Sequence, residues 1–348
     1  MSQLTNVFYA IFYKPKQLIM KFYSLFLIFF LFALSVSDSF GQQWRRDRHH
    51  IVLGLGGSGF MGDLGGADDP STLGISDFDF KAVKPSIMLG YRYHFYEDIA
   101  ARANIIYGEI SGSDSYTNEI YRNNRNLHFK SPIIELSAQG EYYFFSAERV
   151  GARYRRITRG RGWIGYNISA YAFAGVGGFY FNPQAQFDRD HYLELGHSSI
   201  KNVDELPENG WYDLAPLRTE GQGYYPTRET YSQIQISVPI GIGAMFHISR
   251  DLSIGIEYGY RKTWTDYIDD VSKTYVDPAI YSQMWDDPKT IALAEYFSNP
   301  TNNSLPESTT APGMQRGGPT SNDSYMFAFV TVYYRLPELR PSYGLPRF

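Results

Sequence analysis

The sequence predicts an all-β fold: an eight-stranded antiparallel transmembrane β-barrel with short periplasmic turns and long extracellular loops. Three observations carry this expectation. An apolar run stands near the start, eight later segments alternate apolar and polar residues with a period of two, and the connections between them alternate short with long. Composition agrees, because 30 Tyr, 24 Phe and 32 Gly favour strands and tight turns over helices. With no cysteine the chain has neither a disulfide framework nor a thiolate metal site, and a formal net charge of -4 gives no general case for nucleic acid as a partner.

At the N-terminus, Lys21 precedes the apolar run Leu25–Val36, and Ser39 and Gly41 supply the small residues of a cleavage site before Gln42. Residues 1–41 are therefore expected to be a signal peptide, the run being shorter than the ~20 residues a spanning helix needs. Met20 is the expected initiator, because counting from Met1 leaves an unusually long region ahead of the run.

Strands are expected at 49–62, 84–96, 99–112, 130–145, 163–182, 231–248, 252–266 and 324–336, giving a barrel domain over 42–336 and a periplasmic tail at 337–348. In the first, Ile51, Leu53 and Leu55 alternate with Val52, Gly54 and Gly56. Those glycines spell G-x-G-x-x-G with Gly59. No helical period follows and Pro70 intervenes, so the match to a dinucleotide fingerprint is coincidental and no cofactor is expected. The sixth strand is the clearest, with Ile234, Ile236, Val238, Ile240, Ile242, Ala244 and Phe246 opposite Gln235, Ser237, Gly241, Gly243 and His247. After Ser249-Arg250-Asp251 the pattern resumes with Ile254, Ile256 and Tyr258 opposite Gly255, Glu257 and Gly259, which makes a hairpin.

Charges on the polar face separate a barrel from a soluble sandwich. Arg92, Arg102, Glu135, Glu141, Glu257 and Arg261 are expected to form a charge network in a lumen that eight strands make just wide enough for side chains to fill. Facing lipid at mid-depth, an Arg would cost about 2–4 kcal/mol. A filled lumen also argues against a diffusive pore. Tyr91, Tyr93, Phe95, Tyr142, Phe144, Tyr258, Tyr260, Trp264 and Tyr333 cluster toward strand ends on or near the apolar face, where interfacial rings sit.

The long external connections are the expected place for function. Between the fifth and sixth strands His191, His197 and many Tyr lack metal-ligand spacing, so no metal is expected. After the seventh strand, Asp277-Pro278 and Asp287-Pro288 each predict an N-cap followed by proline at the first helical position. Two short helices follow from that, serving either to bind a partner or to pack on the barrel mouth. Residues 299–323, rich in Pro, Ser, Thr, Asn and Gly, are expected to be mobile. Asp266, Asp269 and Asp270 with a loop His would give a rim hydrolase its base, but their order marks no triad, and no catalytic residue is assigned. On the periplasmic side, Arg149, Arg153, Arg155, Arg156, Arg159 and Arg161 crowd one turn. They read as a docking patch for an acidic partner or anionic head groups, and equally as a solvated turn that anchors the barrel at the interface.

Particular stretches resemble a known family. "FMGDLGG", "AYAFAGVGGFYFNP", "GYRKTWTDYIDDVSKTY" and "SYMFAFVTVYYR" are similar to the PorG-like outer-membrane β-barrel family of Bacteroidetes-type bacteria, over nearly the whole mature chain. The run holding Asp266, Tyr267, Asp269, Asp270 and Ser272 is the most specific piece. The resemblance implies a barrel associated with the type IX secretion system, anchoring a periplasmic ring of lipoprotein and partner subunits, with the Arg-rich turn and the C-terminal tail as contact surfaces. The family also holds barrels of unassigned role, and the long loops here depart from its simplest members. The expected function is a non-enzymatic structural or interaction component of the outer membrane, in contact with its lipids. The alternative is a barrel that binds a surface ligand or partner through its external loops.

Overall fold

The computed structural model describes residues 48–64, 82–96, 98–117, 119–145, 168–196, 205–249, 251–319 and 321–336. The expected signal peptide, the arginines between 149 and 161, and the tail beyond 336 lie outside these residues.

Period-two alternation gives each long segment two unlike faces and commits it to extended backbone. Strands β1 (His49–Met61), β2 (Lys84–His94), β3 (Ile99–Ser113), β4 (His128–Phe145) and β5 (Ile168–Phe181) are followed by a small pair, β6 (Gln184–Phe187) and β7 (Gly210–Asp213), and then by β8 (Ile234–His247), β9 (Leu252–Thr263) and β10 (Ser324–Arg335). Leaving aside β6 and β7, each strand pairs antiparallel with its neighbours in sequence, and β10 returns to β1, His50 opposite Arg335 through Met61 opposite Ser324. The eight-stranded sheet therefore closes without an edge, as a membrane requires of a sheet.

Register decides which face meets lipid, since a one-residue slip would exchange the two. Leu55, Leu136, Ile236, Ile242 and Ile256 are between 60% and 68% exposed, while Ser237, Gly243 and Glu257 between them turn inward and are buried. In water such a band would be an aggregation liability; in a bilayer it meets acyl chains. Exposed rings flank it, Tyr91, Phe95, Tyr142, Phe144 and Tyr334 toward one end and Tyr107, Tyr180 and Trp264 toward the other. Tyr333 departs from the expected apolar-face position. It lies in phase with Phe329 and Thr331, is buried in the lumen, and leaves the outward position to Tyr334.

The tight connections after β2 and β8 and the connection between β4 and β5 leave the same end of the barrel as His49 and Arg335, and the connections after β1, β3, β5 and β9 leave the other. At that other end the connections fold together. They carry α1 (Ile120–Arg125), α2 (Arg189–Glu194), α3 (Tyr281–Met284) and α4 (Pro288–Ser298). Both expected caps form: Asp277 accepts from Ala279 N at 2.9 Å at the head of a 3-10 turn that runs into α3, and Asp287 accepts from Thr290 N at 3.0 Å at the head of α4. These helices order the connection, because Ile280, Tyr281, Leu293 and Phe297 join Phe187, Leu214 and Leu217 in an apolar cluster separate from that of the barrel.

Residues 299–319 also differ from expectation. The Thr301 hydroxyl donates to the Asn124 carbonyl at 2.8 Å, the Asn124 side chain accepts from Leu305 N at 2.9 Å, and Arg316 is 2% exposed. Polar composition sets how much surface a segment can hide, not whether its amides and carbonyls find partners, and here α1 supplies them.

Candidate functional site in the lumen and external domain

Two buried polar systems lie one above the other. In the lumen, Arg92 of β2 stands opposite Arg102 of β3, and both would repel without the Glu141 carboxylate of β4 between them. Arg92 Nε meets Glu141 at 2.7 Å and Arg102 Nε meets it at 2.9 Å. Across the bore Arg102 reaches Glu257 of β9 at 2.5 Å, and the Tyr171 hydroxyl donates to the same Glu257 oxygen at 2.6 Å. Arg92 lies 4.3 Å from the centre of the Tyr333 ring. Arg261 and Glu135 form a second system, 3.3 Å apart, with Tyr325 donating to Glu135 at 2.8 Å. All six charged residues are at most 4% exposed. Gly243 makes room for this filling, because a Cβ there would overlap the Tyr171 ring. Side chains fill the bore.

Above the lumen, the Asp266–Ser272 run is an internal strut. Asp270 is buried and accepts from the Thr219 hydroxyl at 2.5 Å and the Tyr231 hydroxyl at 2.6 Å. Tyr267 stacks on Tyr231 with ring centres 4.8 Å apart, and Ser272 donates to Asp266 at 2.6 Å. Burial pushes the Asp270 carboxyl up to about 6, against the pull of Arg316 and its two hydroxyl donors. Asp269 and Asp270 are 1% and 0% exposed, so neither reaches the rim water that a hydrolase base would activate.

Two further hubs had no signal in the sequence beyond isolated charges in polar loops. Glu220 is buried and accepts from Ser272 N at 3.0 Å, Lys273 N at 3.1 Å and Arg316 at 3.0 Å. Arg316 also donates to the Phe297 and Ser298 carbonyls, each at 3.1 Å, closing the C-terminal end of α4. Arg125 grips Asp114 with two bonds of 2.8 and 2.7 Å and donates to the Asp63 carbonyl at 2.8 Å. These pairs tie the connections after β1, β3, β5 and β9 into one body.

On its surface that body carries a cleft of about 650 Å³, lined by Thr227, Arg228, Lys273, Thr274, Gly313, Gln315, Gly318 and Pro319. Three segments line it, and two of them are laced together: Arg228 donates to Thr274 Oγ1 at 2.6 Å and Lys273 donates to the Thr227 carbonyl at 2.8 Å. Neither cation has a carboxylate partner among the described residues, and both keep unused donors. The buried Glu220 carboxylate, which accepts from the Lys273 amide, is paired with Arg316.

No family model matches the chain, and no curated protein matches it. Among solved structures it is similar to Ail, the attachment invasion locus protein of Yersinia pestis, in complex with the heparin analogue sucrose octasulfate, at 11% sequence identity over 84% of this chain and 99% of that one, with a TM-score of 0.32. It is similar to Neisserial surface protein A at 8% identity over 83% and 97% of the two chains, TM-score 0.33, and to OprG from Pseudomonas aeruginosa at 8% over 84% and 98%, TM-score 0.31. Likeness at this level decides nothing about activity, and the fold stands on the strand pairing itself. A closed sheet that is apolar outside and charged within suits a membrane, and the chain is an eight-stranded antiparallel β-barrel of the outer-membrane type.

Proposed function

We propose that this protein is a non-enzymatic recognition barrel, a closed scaffold in the outer membrane that displays a folded external domain whose cationic cleft takes an anionic group on a surface partner. The observation that carries the reading is the cleft with Arg228 and Lys273, two cations without carboxylate partners in a domain where the buried ones are paired. Its volume lies within the ~300–1,000 Å³ usual for ligand sites. The test uses the full-length protein in lipid nanodiscs with immobilised dextran sulfate and neutral dextran as probes. Salt-sensitive retention on the sulfated matrix alone, lost in Arg228→Glu with Lys273→Glu, is the expected result. Equal retention of that double variant would overturn it.

The second reading is anchoring of a type IX secretion ring through the periplasmic face. It draws on the resemblance of the Asp266–Ser272 run, and on the departure of the β4–β5 connection, which holds Arg149 to Arg161, from the end of the barrel with the tight turns. Deletion of 149–161 then abolishes cargo secretion while the barrel still folds. Unchanged secretion would retire this reading and leave the first standing.

A further inference from the structure

Four carboxylates meet where the external domain sits on the barrel. Asp63 follows β1, Asp266 and Asp269 follow β9, and Asp323 precedes β10. Each gives one oxygen to a donor: Asp63 to Gly318 N at 2.7 Å, Asp266 to the Ser272 hydroxyl at 2.6 Å, Asp269 to Val271 N at 3.0 Å and Asp323 to Ile268 N at 2.8 Å. The other oxygens of Asp266, Asp269 and Asp323 are buried with no hydrogen-bond partner. Glycines allow the approach, since a Cβ on Gly62 would overlap Asp323 Oδ1 and a Cβ on Gly317 would overlap Asp63 Oδ2.

Buried unpartnered carboxylate oxygens are costly unless something neutralises them. The neighbouring guanidinium groups are engaged elsewhere, Arg125 on Asp114 and Arg316 on Glu220. Among the described residues no three acidic or histidine side chains are disposed to hold a metal ion. A proton answers the burial: it removes the charge from a buried carboxylate and turns an unpartnered oxygen into a donor. Also facing the cluster are Glu220 from the β5–β8 connection and Arg122 and Arg125 from α1, with Asp114, Tyr267, Asp270 and Arg316 behind them.

We infer that Asp63, Asp266, Asp269 and Asp323 form a proton-sharing pin that fastens the external domain to the barrel mouth and loosens as the pH rises. The inference holds whatever the external domain binds. Burial pushes the Asp323 and Asp269 carboxyls well above the ordinary range, with the neighbouring aspartates adding to it, and burial also raises Asp63 and brings Asp266 up to about 7. Released from the cluster, each would titrate near about 4. The closed form thus holds protons that the open form gives up. Their contribution is fully present below about pH 4 and is lost as pH rises, through about 7 for Asp266, with Asp269 and Asp323 also held well above the ordinary carboxylate range.

Two measurements on the full-length protein in lipid nanodiscs test this: amide hydrogen exchange corrected for the intrinsic rate, and the infrared carboxylic-acid carbonyl band. From about pH 6 to about pH 9, peptides within 264–323 should lose about tenfold or more of their protection while β8 and β9 keep theirs, and an acid band should persist at neutral pH. Asp269→Asn with Asp323→Asn, amides that donate without titrating, should shrink both the profile and the band to the part that Asp63 and Asp266 carry. A flat wild-type profile, or no acid band at neutral pH, overturns the inference. So does a profile that added calcium or a chelator moves, because the counter-charge is then a cation. The wild-type readings decide the matter even if the double variant fails to fold.

Discussion

The lumen and the junction above it bury carboxylates in opposite company. Glu141, Glu257 and Glu135 each face a guanidinium from a different strand, so their neutralisation is written into the sheet register and stays constant wherever arginine stays charged. Asp63, Asp266, Asp269 and Asp323 face one another, with backbone amides and a serine hydroxyl as their donors. One system behaves as a fixed wall and the other as an adjustable seal. The difference follows from where each sits: a strand interior leaves no freedom to separate charges, whereas loop ends can part.

The largest effect should come from the wall. Glu141→Leu leaves Arg92 without its carboxylate and Arg102 with Glu257 alone, which should destabilise the barrel by about 3–5 kcal/mol. The urea midpoint at which the heat-modifiable folded band disappears measures it. If Glu141→Leu costs no more than a change in the junction, the lumen network is not what holds the wall.

Next comes the domain above. Arg316→Met leaves Glu220 buried without its cation and frees the last carbonyls of α4, a loss of about 3 kcal/mol confined to the external domain. Limited proteolysis should then cut within 264–323 while the barrel midpoint stays put. An equal shift of the barrel midpoint would show that wall and seal unfold as one unit.

The wall was far more legible in the sequence than the seal. Period-two alternation ran through β8 and β9 without a break, so Glu257 and Arg261 could be assigned to the polar face before any pairing was known. Tyr333 was misplaced because two tyrosines stand side by side in "VYYR", and only the pairing with β1 settles which one turns inward. Glu220, Arg316, Asp63 and Asp323 come from connections with no periodicity, and their partners lie from about 18 to 260 positions away along the chain. Loop charges carry no face assignment, so burial could not be inferred for them. The two helix caps were readable because a cap is local: aspartate and proline suffice at adjacent positions.

A gentler change separates the neutral-pH part of the seal from the rest. Asp266→Asn removes the group that burial brings up to about 7 and keeps a side chain able to meet Ser272. Protection of 264–323 should lose the part of its fall centred near about pH 7 and keep the part that Asp269 and Asp323 contribute. A profile identical to wild type would remove Asp266 from the cluster.

The smallest effect tests whether the external domain is a body in its own right. Asp287 is exposed and touches neither charge system; its carboxylate accepts from the Thr290 amide at 3.0 Å and the Thr290 hydroxyl at 2.7 Å at the head of α4. Asp287→Ala should cost about 1 kcal/mol, and Asp287→Ser, which can still cap, should cost less. Because α4 supplies Leu293, Tyr296 and Phe297 to the upper apolar cluster, the loss should spread to exchange in β6, β7 and α2, whose residues share that cluster, and stop at the barrel. Exchange that rises in α4 alone would mean that the helix frays independently and the cluster holds without its first turn.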